Sequence, residues 1–501
     1  MKALLVHPDY PDTFWSFKDA LKLVNKSASE PPLGLLTVAA MLPETWQLKL
    51  VDMKVTALTD DDLRWADLVF IGAMTIQLAS AREVIQRACR WGATVVAGGP
   101  LFTTCPDDFP DVDHFVLGEA EATLPRFLSD LAAGTLEPRY EATHPPNLKR
   151  SPIPRYDLID INQYATMDLQ YSRGCPYDCE FCEITALFGH KVRTKTTAQI
   201  LGELQAIHDR GWRGTVFFVD DNFIGNKVRL RQDVLPALVE FMKARRYPFP
   251  LTTQLSVDLA DDPDLMALMV EAGFAGVFVG IETPDPAGLA ECGKDQNIDR
   301  NLLHSVRRIQ AAGLEVKAGF IIGFDSDRPT IFEQMSRFIR ESGIVTAMVG
   351  LLNAPRGTRL HERLAAEGRL RTEVTGDNTD GSLNFEPRME RTSLLAGYSR
   401  VLRNVYAVGP YYDRVRGFLG RFAGAVPRRR VGRLQPGDIA SLMRSVYALG
   451  IRGQGRRQYW RLFWETLLRR PRMFSLAMTY AVYGHHFRRV YRHHLQADGP
   501  A

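Results

Sequence analysis

The chain has 501 residues, an apolar content of 45% and a formal net charge of +4, which suits two or three globular domains and excludes an intrinsically disordered chain. Three of its six cysteines are clustered and three are scattered, a distribution that excludes a disulfide framework. The first residues lack the anatomy of a signal peptide, and no apolar run reaches the roughly 18–20 residues that would span a bilayer. We therefore expect a protein of a reducing, bacterial-type cytoplasm.

The net charge is distributed unevenly along the chain. Residues 401–501 contain 19 arginines, no lysine and four acidic residues, a net charge of +15, so the total of +4 leaves −11 for the first 400 residues. The C-terminal part therefore has a different surface from the rest of the chain.

Residues 1–135 alternate short apolar strands with amphipathic helical patterns. The predicted strands are 2–6, 48–51, 68–72, 94–97 and 115–117, and the predicted helices include 35–42, 79–91 and 122–131. This alternation predicts an α/β fold of the flavodoxin-like, doubly wound type, in which ligands bind beyond the carboxyl ends of the strands. Residues 136–164 are rich in proline and polar residues and are interpreted as a linker.

A second alternation of strands and helices occupies residues 165–390. Its predicted strands are 168–172, 215–219, 251–255, 276–280, 316–322 and 346–351. Six such units predict a partial (β/α)6 barrel, whose active site would lie at the carboxyl ends of the strands. Residues 391–501 are predicted to form a basic, helical C-terminal domain.

The clustered cysteines, Cys175, Cys179 and Cys182, have the spacing C-x3-C-x2-C and directly follow the first strand of the predicted barrel. Thiolates are the usual ligands of iron–sulfur clusters, and full ligation by protein takes four of them. Three local cysteines would leave one iron open to a reacting molecule. A structural zinc site, with a poorly spaced His190 as fourth ligand, and three unrelated core cysteines are the alternatives.

The run Tyr-Ser-Arg-Gly-Cys-Pro at 171–176, followed by Cys179, Phe181 and Cys182, resembles the core of the radical S-adenosylmethionine (SAM) superfamily. With residues 1–135 attached, the chain resembles cobalamin-binding radical SAM proteins. Within these it is similar to a subgroup that has a C-terminal domain of unknown function and includes hopanoid methylases. The resemblance implies a [4Fe–4S] cluster on the three cysteines, SAM on its open iron, and a reductant such as flavodoxin or ferredoxin.

Three further barrel loops fit the pattern of the family. Polar residues follow the second strand, where relatives contact the SAM amino group, although helix capping would also explain the acids. A glutamate ends the fourth strand, where relatives bind the ribose, although a structural ion pair is the alternative. Glycines in the fifth strand would let the backbone approach the adenine, although a simple buried strand would look similar in sequence. The residues expected to bind SAM are Asp220, Asp221, Asn222, Glu282, Gly319 and Gly323.

Small residues follow the strands of the first domain, where they leave room for a large flat ligand. Glycines that merely end strands would give the same sequence pattern. The family resemblance is what implies cobalamin as the ligand. The residues expected to bind it are Leu33, Gly34, Thr75, Gly98, Gly99, Gly118 and Glu119.

The cobalt ligand of many cobalamin proteins is a histidine from the motif Asp-x-His-x-x-Gly. The motif is absent here, and His7 and His114, the two histidines of residues 1–135, lack its context. We therefore expect cobalamin to bind without a histidine as lower ligand.

Arginine pairs and triplets separate the aromatic-rich helical patterns of the C-terminal part. Arginine among amphipathic aromatic residues suits an anionic membrane surface. A cap that packs on the acidic remainder of the chain is an alternative, and nucleic acid is a less favoured partner. The aromatic residues concerned are Trp460, Phe463, Trp464, Phe474, Tyr480, Tyr483, Phe487 and Tyr491. We expect a cytoplasmic protein, with peripheral contact to the inner membrane face as an open question.

The resemblance implies a cobalamin-dependent radical SAM methyltransferase that acts on an unactivated carbon of a small-molecule or lipid substrate. A 5′-deoxyadenosyl radical from SAM would remove hydrogen, methylcobalamin would deliver the methyl group, and a second SAM would remethylate cobalt. A rearrangement, cyclisation or oxidation with the same cofactors is one alternative. A non-catalytic iron–sulfur or zinc protein that senses redox state or binds nucleic acid is another.

Overall fold

The structure of the protein is a computed structural model that describes residues 1–422 and 436–492. The arginine triplet 428–430 lies outside the described residues. Within them, no helix is both long enough and apolar enough to cross a membrane.

The N-terminal sheet has six parallel strands in the order β2-β1-β3-β4-β5-β6, which confirms the doubly wound fold. The sequence did not predict β6, because it has two residues and lies in a proline-rich stretch. The strands are β1 Lys2–His7, β2 Gln47–Asp52, β3 Leu68–Gly72, β4 Thr94–Gly98, β5 His114–Val116 and β6 Arg139–Tyr140. The helices are α1 Lys18–Val24, α2 Leu33–Ala39, α3 Asp60–Trp65, α4 Leu78–Arg90, α5 Pro100–Thr104 and α6 Ala120–Ala133.

Both faces of this sheet are covered. Side chains of α3, α4 and α5 form a core on one face, and side chains of α2 and α6 form a second core on the other. Burial on both faces is the physical reason why its strands are short continuous apolar runs.

The middle of the chain forms a second six-stranded parallel sheet, in the order β14-β13-β12-β11-β10-β7. The strands β7 and β14 are its two edges, so the barrel is partial, as predicted. The strands are β7 Thr166–Leu169, β10 Thr215–Phe218, β11 Leu251–Leu255, β12 Phe274–Glu282, β13 Glu315–Ile322 and β14 Ala347–Leu351. A separate antiparallel pair is formed by β8 Ser172–Arg173 and β9 Arg193–Thr194.

Helices alternate with these strands along the chain and follow the last of them. They are α7 Ile184–Phe188, α8 Thr197–Asp209, α9 Lys227–Arg229, α10 Leu235–Ala244, α11 Pro263–Glu271, α12 Pro286–Glu291, α13 Leu302–Ala311, α14 Ile331–Ser342 and α15 Arg359–Ala366. The C-terminal helices are α16 Arg391–Tyr406, α17 Val408–Phe422, α18 Pro436–Ser445, α19 Arg456–Arg469 and α20 Phe474–Val490.

Tyrosines of the C-terminal helices cover the free edge of β14. The hydroxyl of Tyr406 donates to the carbonyl oxygen of Ala347, and the hydroxyls of Tyr398 and Tyr491 donate to that of Val349 at 3.0 and 3.2 Å. An uncovered edge would expose unpaired backbone groups. These helices therefore complete one side of the barrel.

The N-terminal domain covers the other edge, β7. The carbonyl oxygen of Ser29 accepts hydrogen bonds from the backbone nitrogen and the hydroxyl of Thr166 at 2.9 and 3.0 Å. Between the two edges, Phe14 stacks on Phe487 of α20 with ring centroids 4.1 Å apart. Residues from the two ends of the chain thus close the gap in the barrel.

Of the eight aromatic residues that suggested a membrane surface, three are buried, four are half-buried and one is exposed. Tyr480, Phe487 and Tyr491 are buried in the main core, and only Trp464 of the predicted set is largely exposed. The structure thus gives these aromatics mainly the cap role that the sequence left open, because their helices pack on the barrel.

Candidate active site

The cysteine loop follows β7 in the chain and runs from β8 to α7. Gly174 begins the loop with φ +91°, and a Cβ atom there would lie 2.8 Å from the carbonyl oxygen of Lys191 and 2.9 Å from that of Gly189. Only glycine fits both this left-handed conformation and this close approach. The backbone nitrogen of Cys175 then donates to the oxygen of Gly189 at 3.3 Å, which fixes the start of the loop.

Cys175, Cys179 and Cys182 lie close enough together to influence one another electrostatically, and burial raises the pKa of all three thiols, that of Cys182 to about 12. Among residues 1–422 and 436–492, no three His, Cys, Asp or Glu side chains converge as they would around a single metal ion. A [4Fe–4S] cluster binds each thiolate to a different iron. Three thiols on one loop therefore suit a cluster that keeps one iron free of protein ligands.

Asp220 is fully buried beneath this loop. Its carboxylate accepts hydrogen bonds from the backbone nitrogens of Tyr171 and Ser172 and from the hydroxyl of Ser172. Burial raises its pKa to about 7. Through these hydrogen bonds Asp220 supports the backbone that leads into the cysteine loop. Its contact with SAM stays a prediction.

The two residues that follow differ in their freedom to bind a ligand. Asn222 is occupied by Ser256, whose backbone nitrogen donates to the amide oxygen and whose hydroxyl accepts from the amide nitrogen, both at 3.3 Å. One carboxylate oxygen of Asp221 is buried with no hydrogen-bond partner among the described residues. Burial raises the pKa of Asp221 to about 6. A buried carboxylate oxygen of this kind fits a cationic donor such as the SAM ammonium group.

Glu282 ends β12 in a left-handed conformation, φ +62°, where the register with β13 shifts. It accepts a hydrogen bond of 2.7 Å from Nζ of Lys294. Burial opposes the charge of this lysine, but Glu282 and the thiols of Cys179 and Cys182 raise its pKa. The sequence offered no motif for Lys294, yet the structure places its charge beside the predicted cluster ligands.

The two glycines that were predicted to approach the adenine, one in β13 and one just after it, have different surroundings. A Cβ atom on Gly319 would lie 3.1 Å from the ring of Phe278, so the glycine makes room for that ring. Gly323 has φ +115°, and its backbone nitrogen donates to Asp327 at 2.8 Å. Contact of either residue with adenine stays a prediction.

The predicted cobalamin residues lie along the carboxyl ends of the N-terminal strands. Gly98 and Gly99 are needed for packing, since Cβ atoms there would lie 2.8 Å from the oxygen of Val116 and 3.0 Å from that of Ala73. Gly34 and Gly118 face open space, with nothing within 4 Å of an added Cβ atom. Leu33 and Thr75 are half-buried at the starts of α2 and of a short 3-10 turn. The space beside Gly34 and Gly118 is thus open, whereas Gly98 and Gly99 serve packing.

Glu119 does not lie free in that space. Its carboxylate pairs with Arg173 at 2.8 Å and with Arg193 at 2.7 Å, and Glu121 also pairs with Arg173, at 2.9 Å. Both arginines belong to the β8–β9 pair beside the cysteine loop. Glu119 therefore joins the two domains, a role that a motif of the N-terminal domain alone could not reveal.

Both histidines of the N-terminal domain interact with the protein. His7 is buried at the end of β1, burial lowers its pKa, and its ring lies 3.2 Å from Nε2 of Gln77. Nδ1 of His114 lies 2.7 Å from the carbonyl oxygen of Glu137.

Comparison with known families assigns a domain to each of these regions. Residues 23–128 match the B12 binding domain, residues 169–339 match the radical SAM superfamily, and residues 358–498 match a domain of unknown function (DUF4070). The first two matches imply a [4Fe–4S] cluster, SAM and cobalamin as cofactors.

Two relatives match nearly the whole chain. An uncharacterized methyltransferase of Synechocystis sp. is 39% identical over 97% of this chain and 91% of its own length. The hopanoid C-2 methylase of Rhodopseudomonas palustris is 34% identical over 93% of this chain and 90% of its own length.

Solved structures share the fold. The cobalamin-dependent SAM radical enzyme OxsB has a TM-score of 0.64 at 13% identity and covers 99% of this chain and 80% of its own. The radical SAM methyltransferase TsrM of Kitasatospora setae has a TM-score of 0.56 at 17% identity and covers 92% of this chain and 99% of its own. Matched along its whole length by relatives named methyltransferases, the chain belongs to the B12-binding radical SAM methyltransferase family with a C-terminal DUF4070 domain.

Proposed function

We propose that this enzyme transfers a methyl group to an unactivated carbon of a large, mainly apolar substrate of the lipid class. The observation that carries the proposal is an apolar wall inside the barrel, formed by Trp15, Phe278 and Met348. The similarity to the hopanoid C-2 methylase supports the same class, since a hopanoid is a lipid.

The wall is built from three different parts of the chain. Phe278 of β12 and Met348 of β14 are half-buried, and Gly319 of β13 is paired in register with Met348. Trp15 enters through the gap between the barrel edges, where its ring lies 5.4 Å from that of Phe278 and its Nε1 lies 3.0 Å from the sulfur of Met348. Trp15 keeps 37% of its surface exposed. An indole that is held by its neighbours and still accessible can bind an apolar molecule.

The protein's own groups have separate tasks around this wall. The cofactors, when bound, supply a hydrogen-abstracting radical and a methyl group. The free oxygen of Asp221 can accept from an ammonium group, and Lys294 places a positive charge beside the cluster thiolates. The aromatic side chains that close the barrel gap exclude water from the reacting carbon. We also propose that cobalamin binds without a histidine on cobalt, because His7 and His114 already have partners within the protein.

The test compares lipid extracts of a host with and without the enzyme by mass spectrometry. The expected product gains one carbon and two hydrogens. A product of unchanged formula, or one that gains oxygen, would favour rearrangement or oxidation.

The apolar wall is tested with Trp15→Ala, using Trp91→Ala as a matched control because Trp91 is 42% exposed on the distant helix α4. We expect methylation by Trp15→Ala to fall by about tenfold or more, as for loss of an aromatic contact, while formation of 5′-deoxyadenosine continues. Equal methylation by both variants would remove the wall from the substrate site.

A further inference from the structure

The C-terminal helices bury one side in the core but leave an apolar surface on the outside. Seven of the fourteen most exposed large apolar side chains of the described residues lie between positions 439 and 468. We call these seven the apolar face: Ile439, Met443, Tyr447, Ile451, Trp464, Leu467 and Leu468.

Four of them form a stripe at intervals of four residues. Ile439, Met443, Tyr447 and Ile451 follow one side of α18 and of the π-helical turn Val446–Ile451 that continues it. Ser445 and Leu449, on the opposite side, are buried. This periodicity is that of an amphipathic helix, and its apolar side is exposed.

The remaining three lie on α19, and Trp460 connects the two helices. Its Nε1 donates to the carbonyl oxygen of Gly450 at 3.0 Å, next to Ile451 in the stripe. Its ring also stacks on Trp464, with centroids 6.2 Å apart and planes 20° apart. Trp460 therefore holds the end of the stripe next to α19.

Cations surround this surface. Arg456, Arg457, Arg461, Arg469 and Arg472 are exposed, and none of them forms an ion pair with a carboxylate of residues 1–422 or 436–492. Arg452 lies over the ring of Tyr447, 4.7 Å from its centroid. Their positive charge is therefore available to an anionic partner.

We infer that the apolar face docks on an anionic lipid bilayer, with its apolar side chains among the acyl chains and the surrounding arginines on the headgroups. Exposed aliphatic and aromatic side chains flanked by arginine are the features of interfacial helices. A second copy of the chain fits less well, since it would bring the same arginines together. The inference rests on the proposed function only for the purpose of docking, because a bilayer would deliver an apolar substrate to the enzyme.

The test is flotation of the full-length holoenzyme with vesicles of equal parts phosphatidylglycerol and phosphatidylcholine at low salt. The apolar part is probed with Met443→Asp, and Val228→Asp is the matched control, because these side chains are 64% and 66% exposed. Met443→Asp should reduce the bound fraction by about tenfold, since it places a charge at the apolar depth of the bilayer, while Val228→Asp should bind like the wild type.

The cationic part is probed with the double variant Arg456→Gln/Arg457→Gln. Its control, Arg82→Gln/Arg90→Gln, removes the same charge from exposed positions of α4. Only the first double variant should weaken binding and reduce its salt dependence, because headgroup attraction is screened by salt.

The inference would be overturned if the wild type did not bind these vesicles at low salt, or if Met443→Asp bound them like the wild type. It would also be overturned if light scattering showed that Met443→Asp converts an oligomer into a monomer. The last result would assign the face to a second copy. Flotation needs no turnover, so an error in the proposed substrate leaves it unchanged. Conversely, if the protein methylates its substrate but does not bind vesicles, only the membrane docking is refuted and the proposed function is not.

Discussion

Lys294 and Glu282 form a largely buried ion pair of 2.7 Å at the carboxyl end of β12, beside the thiols of Cys179 and Cys182. The pair joins the loop after α12 to the strand end where the ribose of SAM is expected. Its lysine is thus in a position to affect both the fold and the cluster.

We predict that Lys294→Met lowers the reduction potential of the cluster, because a nearby cation stabilises the more negative reduced state. It should also cost about 3 kcal/mol of stability by leaving Glu282 buried without a partner. Potentiometric titration followed by electron paramagnetic resonance measures the first effect, and denaturant unfolding the second. The double variant Lys294→Met/Glu282→Gln should recover stability and part of the potential, because it also removes the negative charge of Glu282, which acts on Cys179. An unchanged potential in both variants would contradict an electrostatic role.

We predict that Cys175→Ala, Cys179→Ala and Cys182→Ala each lose the cluster and form no 5′-deoxyadenosine, because three thiolates are the minimum set that leaves one iron open. Cys89→Ala and Cys292→Ala are the controls, one exposed and one buried. Iron and sulfide analysis under anaerobic conditions checks the outcome. Loss of iron in Cys292→Ala would instead indicate a fourth ligand.

Asp220 is expected to act as a positioning residue for the cysteine loop. Asp220→Ala leaves the backbone nitrogens of Tyr171 and Ser172 buried without acceptors, at a cost of about 1–3 kcal/mol for each group. Iron content should fall while the circular dichroism of the fold is retained. Asp220→Asn keeps one acceptor and should restore part of the iron. If Asp220→Ala binds iron normally but loses SAM affinity, the residue contacts SAM after all.

The contact between the first two domains should weaken in acid. The charge of Arg173 lowers the pKa of Glu121 to about 2 against the opposing effect of burial, compared with an ordinary value of 4.5. A folded pKa below the unfolded one gives stability that is present above pH 4.5 and is lost as the pH falls toward 2. Limited proteolysis of residues 136–164 should therefore accelerate over this interval. Glu121→Gln should be cleaved faster at neutral pH and respond less to acid.

Cobalamin bound in the Co(II) state should give an electron paramagnetic resonance spectrum without nitrogen superhyperfine splitting from a lower ligand. His7→Ala and His114→Ala should leave the spectrum unchanged, because both rings already interact with other groups of the protein. Splitting that disappears in His7→Ala would identify that histidine as the ligand and refute the proposal.

Both parallel sheets and the position of the cysteine loop follow from local patterns. Strands such as β1 and β3 are bounded apolar runs, and the three cysteines lie within eight residues of one another. The pairing of Glu119 with Arg173 could not be predicted in this way, since the two residues are far apart in sequence and come together only when the domains pack. The same holds for Lys294, which no motif marks.

The C-terminal helices show a different limit. Their composition predicted a cationic aromatic surface, but composition does not say which side of a helix faces the core. Tyr480 and Phe487 are buried because α20 packs on the barrel, whereas Met443 and Leu468 are exposed although neither was singled out by the sequence.

The tyrosine hydroxyls that bond to β14 and the stacking of Phe14 on Phe487 limit which parts of the chain can be exchanged between relatives. The edge strands β14 and β7 do not pair with each other, and segments more than 450 residues apart in sequence, around Phe14 and Phe487, pack together between them. A chimera that exchanges the C-terminal domain between relatives would have to exchange residues 13–17 with it. We therefore expect the three regions to function only in matched combinations, although each is matched by a separate family.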